Sequence, residues 1–116
     1  MVSHETAPVF DKSALLGCVG GDEEIAAEVC QAFLDDFPND IQVLRACTQA
    51  GDSEDLACRA HGIKGAAANL GAEALRKVAF ETEKAAKAGD MNAALSHIAE
   101  LEIQFAQLKA AIEQWL

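Results

Sequence analysis

From Met91 to Trp115 the apolar residues Met91, Ala94, Ile98, Leu101, Phe105, Leu108, Ile112 and Trp115 recur at alternating spacings of three and four. A strand needs a period of two. This alternation, about 3.5 on average, draws one apolar stripe along a helix, the period of left-handed bundle packing. Such a stripe has to be covered by other helices.

Three further segments carry stripes able to cover it. Asp22 precedes apolar residues at Ile25, Val29, Phe33, Phe37, Ile41, Leu44 and Cys47, which predict one long helix. Pro38 lies inside it, and because the stripe continues on both sides a kink is expected there and not a break. Gly51-Asp52-Ser53 forms a stop and a restart, followed by a third helix with Leu56, Ala60, Ile63, Ala67 and Leu70, closed by Gly71. Leu75, Val78, Thr82 and Ala86 mark a fourth, ended by Gly89 and Asp90. Ahead of these, Asp11 or Ser13 caps a short helix that stops at Gly17 or at Gly20-Gly21, read as a lid. Four long helices joined by loops of about two to four residues run antiparallel. The predicted fold is all-α, an antiparallel up-down four-helix bundle with a short extra N-terminal helix, spanning residues 11–116 behind a flexible leader at 1–10.

Composition agrees and narrows the function. Half the residues are apolar but only 5% are aromatic, so alanine supplies much of the core and favours closely packed helices. The formal net charge of −10, from 19 acidic and 9 basic side chains, disfavours nucleic acid and anionic lipid as partners. Cys18, Cys30, Cys47 and Cys58 form no Cys-x-x-Cys pair, and His4, His61 and His97 lack mutual helical spacing, so no metal site is spelled. His4 and His97 have no flanking pattern and are read as incidental, and Cys58 as an unremarkable thiol. The absence of a signal-like or membrane-length apolar run predicts a cytoplasmic protein with reduced thiols.

The third helix contains what packing does not explain. Its sequence Ala60-His61-Gly62-Ile63-Lys64-Gly65-Ala66-Ala67-Ala68-Asn69-Leu70-Gly71 keeps two glycines in a helix interior, each costing on the order of 1 kcal/mol relative to Ala. At about 100° per residue, His61 lies roughly 140° from the centre of the core stripe and faces solvent, with Ala57, Lys64, Gly65 and Ala68 around it. An exposed imidazole with small neighbours and one cation suits a nucleophile that another macromolecule must reach. Imidazole ordinarily titrates near pH 6.5, so near neutrality one ring nitrogen keeps a lone pair. Lys64 is placed to offset the charge of arriving phosphoryl oxygens, and Gly65 leaves the approach open.

This stretch resembles the signature of histidine-containing phosphotransfer (HPt) domains: Ala-His-x-apolar-Lys-Gly-small-small and a Leu-Gly close. Gly51-Asp52 and Gly89-Asp90 are similar to that family's turns, so the likeness covers roughly residues 11 to 116. The resemblance implies that His61 accepts a phosphoryl group, that Lys64 contacts it, and that Gly65 gives steric access. Ala57 and Ala68 are supporting neighbours. Where some members present a Gln that hydrogen-bonds the ring, this chain has Glu83, a carboxylate able to orient and polarise the imidazole more strongly. Arg59 and Arg76, with Lys77, are candidates for drawing an acidic partner site toward His61.

The function implied is relay of a phosphoryl group in a bacterial-type two-component phosphorelay, from a receiver-domain aspartate to His61 and on to a second receiver. Receiver domains of response regulators or hybrid histidine kinases are the expected partners, and the chain is expected to be a monomer. It has no phosphate-binding Gly loop, nucleotide fingerprint or carboxylate cluster at metal-ligand spacing, so it is expected to need no cofactor of its own, to take Mg²⁺ from the receiver, and to have no ATP-dependent kinase activity. Two other readings compete: a non-catalytic adaptor bundle that binds receivers without taking phosphate, and an excised HPt module of a hybrid sensor kinase. Met1 and the complete final helix favour a free-standing protein over the second.

Overall fold

The computed structural model describes residues 7–116. They form α1 (Lys12–Cys18), α2 (Glu23–Ala50), α3 (Ser53–Leu70), α4 (Glu73–Lys87) and α5 (Met91–Trp115). Four of the five begin on an aspartate whose side chain accepts a backbone N–H of the first turn. Asp11 accepts from Ala14, Asp22 from Glu24 and Ile25, Asp52 from Asp55, and Asp90 from Ala93. Gly51 and Gly71 close α2 and α3 in the left-handed conformation, which a Cβ disfavours. These caps fix loops so short that successive long helices must reverse direction.

The four long helices form a ring in which α2 packs on α3 and α5, and α4 packs on α3 and α5. This is the expected antiparallel four-helix bundle. The predicted stripe of α3 is buried in full, as Leu56, Ala60, Ile63, Ala67 and Leu70, and α5 buries Ala94, Ile98, Leu101, Leu108 and Ile112. Helix α2 runs unbroken through Pro38, but only the second half of its predicted stripe lies at the core, from Phe37 through Ile41 and Leu44 to Cys47. In the first half Ala26, Cys30 and Leu34 are buried instead, and Ile25 is 44% exposed. Each spacing of four overshoots a full turn by about 40°, so three in a row carry Ile25 roughly 120° away from Phe37. On α4, Leu75, Thr82 and Ala86 are buried as expected. Val78 is half-buried, while Ala79, Glu83 and Ala85 complete the inner face.

Helix α1 lies across the end of the bundle where α3 finishes. Leu15 is buried, the Asp11 amide donates to the Gly71 carbonyl at 2.8 Å, and Phe10 packs on Trp115 with ring centroids 6.0 Å apart. A Cβ on Gly71 would collide with the Asp11 carbonyl, so this glycine serves both the turn and the close approach of α1. Of the leader expected at 1–10, residues 1–6 lie outside the described residues. Its last part is packed: the Ala74 amide donates to the Pro8 carbonyl at 2.9 Å, and Val9 and Phe10 rest against the core. The packed unit therefore begins before Asp11, because the apolar Val9 and Phe10 cover core that α1 alone leaves open.

Candidate functional site

Helix α3 presents two faces. With Ala60 and Ile63 turned inward, His61 is forced outward, and its side chain is 66% exposed. Beneath the ring is a carboxylate. Glu83 of α4 is 4% exposed, and its Oε2 lies 3.1 Å from His61 Nδ1. Lys64 Nζ is 2.9 Å from Oε1 of the same carboxylate, and Lys87 Nζ is 3.1 Å from Oε2. One buried anion thus gathers an imidazole and two ammonium groups from both helices.

The electrostatics follow from this crowding. Burial pushes the Glu83 carboxyl up, but hydrogen bonds from Lys64, Lys87 and His61, together with the charge of Lys64, outweigh burial and hold it at about 2 against an ordinary 4.5. Glu83 is therefore ionised near neutral pH and can only accept hydrogen bonds. His61 must then donate from Nδ1, which assigns the neutral ring the tautomer with its lone pair on Nε2.

Around the ring there is little bulk. Ala57 is half-buried, while Gly65 and Ala68 are exposed. A Cβ at Gly65 or Gly62 would meet nothing within 4 Å, so neither glycine is required by packing inside this chain. Two open grooves flank α3. One, of about 610 Å³, runs between α3 and α4 past Ala57, Cys58, His61, Glu83 and Lys87. The other, of about 500 Å³, lies between α2 and α3 over an apolar floor of Phe33, Val43, Ile63 and Ala66, with Asp36, Asp40, Asp55 and Arg59 at its rim. There burial and the neighbouring Asp36 push the Asp40 carboxyl up, with Arg59 opposing.

The structure thus brings together His61, Lys64, Gly65, Ala57, Ala68 and Glu83. Arg59 sits on the α2–α3 groove, paired with Asp55 at 3.2 Å. Arg76 does not join them: it pairs with Glu73 at the start of α4, two turns or about 10 Å along the helix from Glu83, and borders neither groove. Lys87 had no role in the sequence reading, although Glu83 and Lys87 stand at the i, i+4 spacing of a helical ion pair and the signal was there. Asp36 and Asp40 likewise stand four apart on α2 and share one helix face, whereas their place beside Asp55 and Arg59 of α3 depends on two helices in contact. His4 lies outside the described residues, His97 is half-buried on α5, and all four cysteines are free. Among the described residues no group of three or more His, Cys, Asp or Glu is arranged to hold a metal ion.

The family model for the Hpt domain matches residues 28–114. The chain belongs to the Hpt domain family. As an Hpt domain it acts in histidine phosphotransfer in phosphorelays, and domains of this family interact with receiver domains. Among solved structures it is similar to the histidine-containing phosphotransfer protein B (HptB) of Pseudomonas aeruginosa PAO1. The TM-score is 0.84 at 29% identity, over 94% of this chain and 95% of that one. It also shares the fold of the HPT domain of a sensor hybrid histidine kinase from Shewanella, with a TM-score of 0.76 at 19% identity over 93% of each chain. No curated protein matches the sequence. No helix among the described residues is long and apolar enough to cross a membrane.

Proposed function

We propose that His61 is the phosphoryl acceptor of this Hpt domain and that the His61–Glu83–Lys64 cluster performs the transfer. The observation that carries the reading is the buried Glu83 carboxylate 3.1 Å from Nδ1 of an otherwise exposed imidazole. It holds the ring so that the Nε2 lone pair points outward. That lone pair attacks the phosphorus of a receiver aspartyl phosphate in line. The N–P bond forms, the P–O bond to the aspartate breaks, and the aspartate carboxylate leaves with the electron pair. The ring then carries both the phosphoryl group and the Nδ1 proton and is positively charged, so the Glu83 carboxylate stabilises charge that appears only as transfer proceeds. The same steps in reverse load an aspartate of a second receiver.

Lys64 offsets the charge of the phosphoryl oxygens by turning part of its ammonium from Glu83 toward them. Gly65, Ala57 and Ala68 leave the in-line path clear. Mg²⁺ is supplied by the receiver, and no step runs through it. The α2–α3 groove with Arg59 at its rim is the docking surface, and Arg76 has no part in it. The domain works in the cytoplasm as a monomer, without ATP, and has neither nucleic acid nor membrane as a partner.

The test is to incubate a panel of phosphorylated receiver domains with wild type and with His61→Gln in Mg²⁺ buffer, following the label. Acid-labile, alkali-stable label on wild type alone is the expected result. Label taken equally by His61→Gln removes the assignment of His61. A folded wild type that binds receivers but takes label from none leaves the adaptor reading in its place.

A further inference from the structure

Phe80 has no place in the core. It is 39% exposed on α4, three residues before Glu83 and seven before Lys87, on the helix face that meets the outward side of α3. Lys64 Nζ stands 4.8 Å from the centroid of its ring, and Lys84 Nζ 4.7 Å. Lys84 is itself paired with Glu81 at 3.0 Å, so its position has a second cause. Lys64 differs. Its ammonium is held at 2.9 Å by Glu83 and against the Phe80 ring, and its side chain is only 23% exposed although it springs from the outward face of α3.

We infer that Phe80 is a positioning residue for the transfer reaction, acting through Lys64. The inference rests on the reading of Lys64 as the phosphoryl contact. A lysine stem has four rotatable carbons and large rotamer freedom, and a single ion pair to Glu83 fixes only one end of a long tether. The face of an aromatic ring attracts an ammonium electrostatically. Together the ring and the carboxylate confine the ammonium beside His61. An ammonium has three N–H donors. With one turned to Glu83 Oε1 and one to the ring face, the third is left for an oxygen of the group on Nε2. The exposure of Phe80 then has a reason: a ring buried in the core could not hold a charge at the mouth of the site.

The experiment isolates this from partner docking by using phosphoramidate, a small donor that touches no receiver surface. His61 Nε2 forms a bond to phosphorus, the P–N bond of phosphoramidate breaks, and ammonia leaves. The rate is followed by ³¹P NMR in wild type, Phe80→Leu, Phe80→Trp, Lys64→Met and the Phe80→Leu/Lys64→Met pair. An exposed cation–π contact corresponds to roughly a two- to fivefold change, so Phe80→Leu is expected to slow phosphorylation by about that factor, with Phe80→Trp near wild type. In the Lys64→Met background Phe80→Leu is expected to add nothing, since a residue that works through Lys64 has no effect once Lys64 is gone. The ε-methylene protons of Lys64 should show an upfield ring-current shift in wild type that Phe80→Leu abolishes. An unshifted Lys64 in wild type, an unchanged rate in Phe80→Leu, or an equal slowing in the Lys64→Met background each overturns the inference about Phe80 and leaves that of Lys64 standing. A Lys64→Met variant as fast as wild type removes the Lys64 assignment, and Phe80 with it.

Discussion

Between α2 and α5 the bundle is held by aromatic rings, whereas between α3 and α4 aliphatic side chains such as Leu56, Leu70 and Leu75 are joined by alanines and one buried charge. On the first side Phe37 stacks on Phe105 with centroids 4.4 Å apart, and Phe33 packs against both. On the second, α3 and α4 bury Ala60, Ala67, Ala79, Ala85 and Ala86, and with them Thr82 and Glu83. Thr82 returns its hydroxyl to the Val78 carbonyl at 2.8 Å and so needs no other partner. Glu83 is different, since its partners are the groups proposed to do the chemistry. Rings contribute large apolar area and little else. Alanines let two helices approach until a carboxylate on one sits beneath an imidazole on the other. Large rings are gathered on one side, and the buried anion, with helix-interior glycines beside it that cost stability, on the other.

The largest break in that comparison is Phe37→Ala. It leaves a cavity in the aromatic cluster and is expected to cost about 3–5 kcal/mol, measured by denaturant unfolding. The fraction that stays folded should take phosphoryl groups at the wild-type rate. A slower rate in the folded fraction would mean that the two sides are coupled and the division fails.

Glu83→Gln tests the other side and has the next largest effect. The amide oxygen can still accept from Nδ1, so the ring keeps its tautomer and loses only the charge beneath it. Because the folded carboxyl is held at about 2 against 4.5, its stabilising contribution is complete above pH 4.5 and is lost as the pH falls toward 2. At pH 7 the variant should be less stable on the order of 1–3 kcal/mol, and the gap to wild type should close across that acid window. A gap that stays constant from pH 5 to pH 2 would show that Glu83 contributes no charge-dependent stability. Transfer onto His61 should slow as well, since the charge that develops on the ring loses its counter-ion.

How far the sequence foretold this depends on whether a feature is local to one helix. The stripes of α3 and α5 were legible because alternating threes and fours hold their phase. The first half of α2 was not, because Ile25, Val29 and Phe33 repeat in fours and drift off the core face while small residues such as Ala26 and Cys30 give a weak apolar signal. His61, Lys64 and Gly65 lie within one turn or so and could be read together. Glu83 could be placed only by likeness to a family, and its burial and its bonds to Lys64 and Lys87 are properties of two helices in contact. Arg76 stands apart from the cluster in a way only the structure shows: it pairs with Glu73 at the start of α4, two turns from Glu83.

The smallest expected effect is the most discriminating, because Gly65→Ala should move stability and activity in opposite directions. A glycine inside a helix costs up to about 1 kcal/mol relative to alanine. A Cβ at Gly65 would meet no atom of this chain within 4 Å, so nothing internal opposes the gain. Thermal unfolding should therefore show a more stable protein, while transfer from a phosphorylated receiver slows because the methyl group stands on the path to Nε2. If the variant is more stable and equally fast, access is not what Gly65 provides. Gly62→Ala sharpens the result: that glycine also has open space above it but borders the α2–α3 groove. Should both variants gain stability and both lose transfer rate, the receiver must cover α3 from the Lys64 side across to α2. A loss confined to Gly65→Ala would draw the edge of the docked surface at the ring itself.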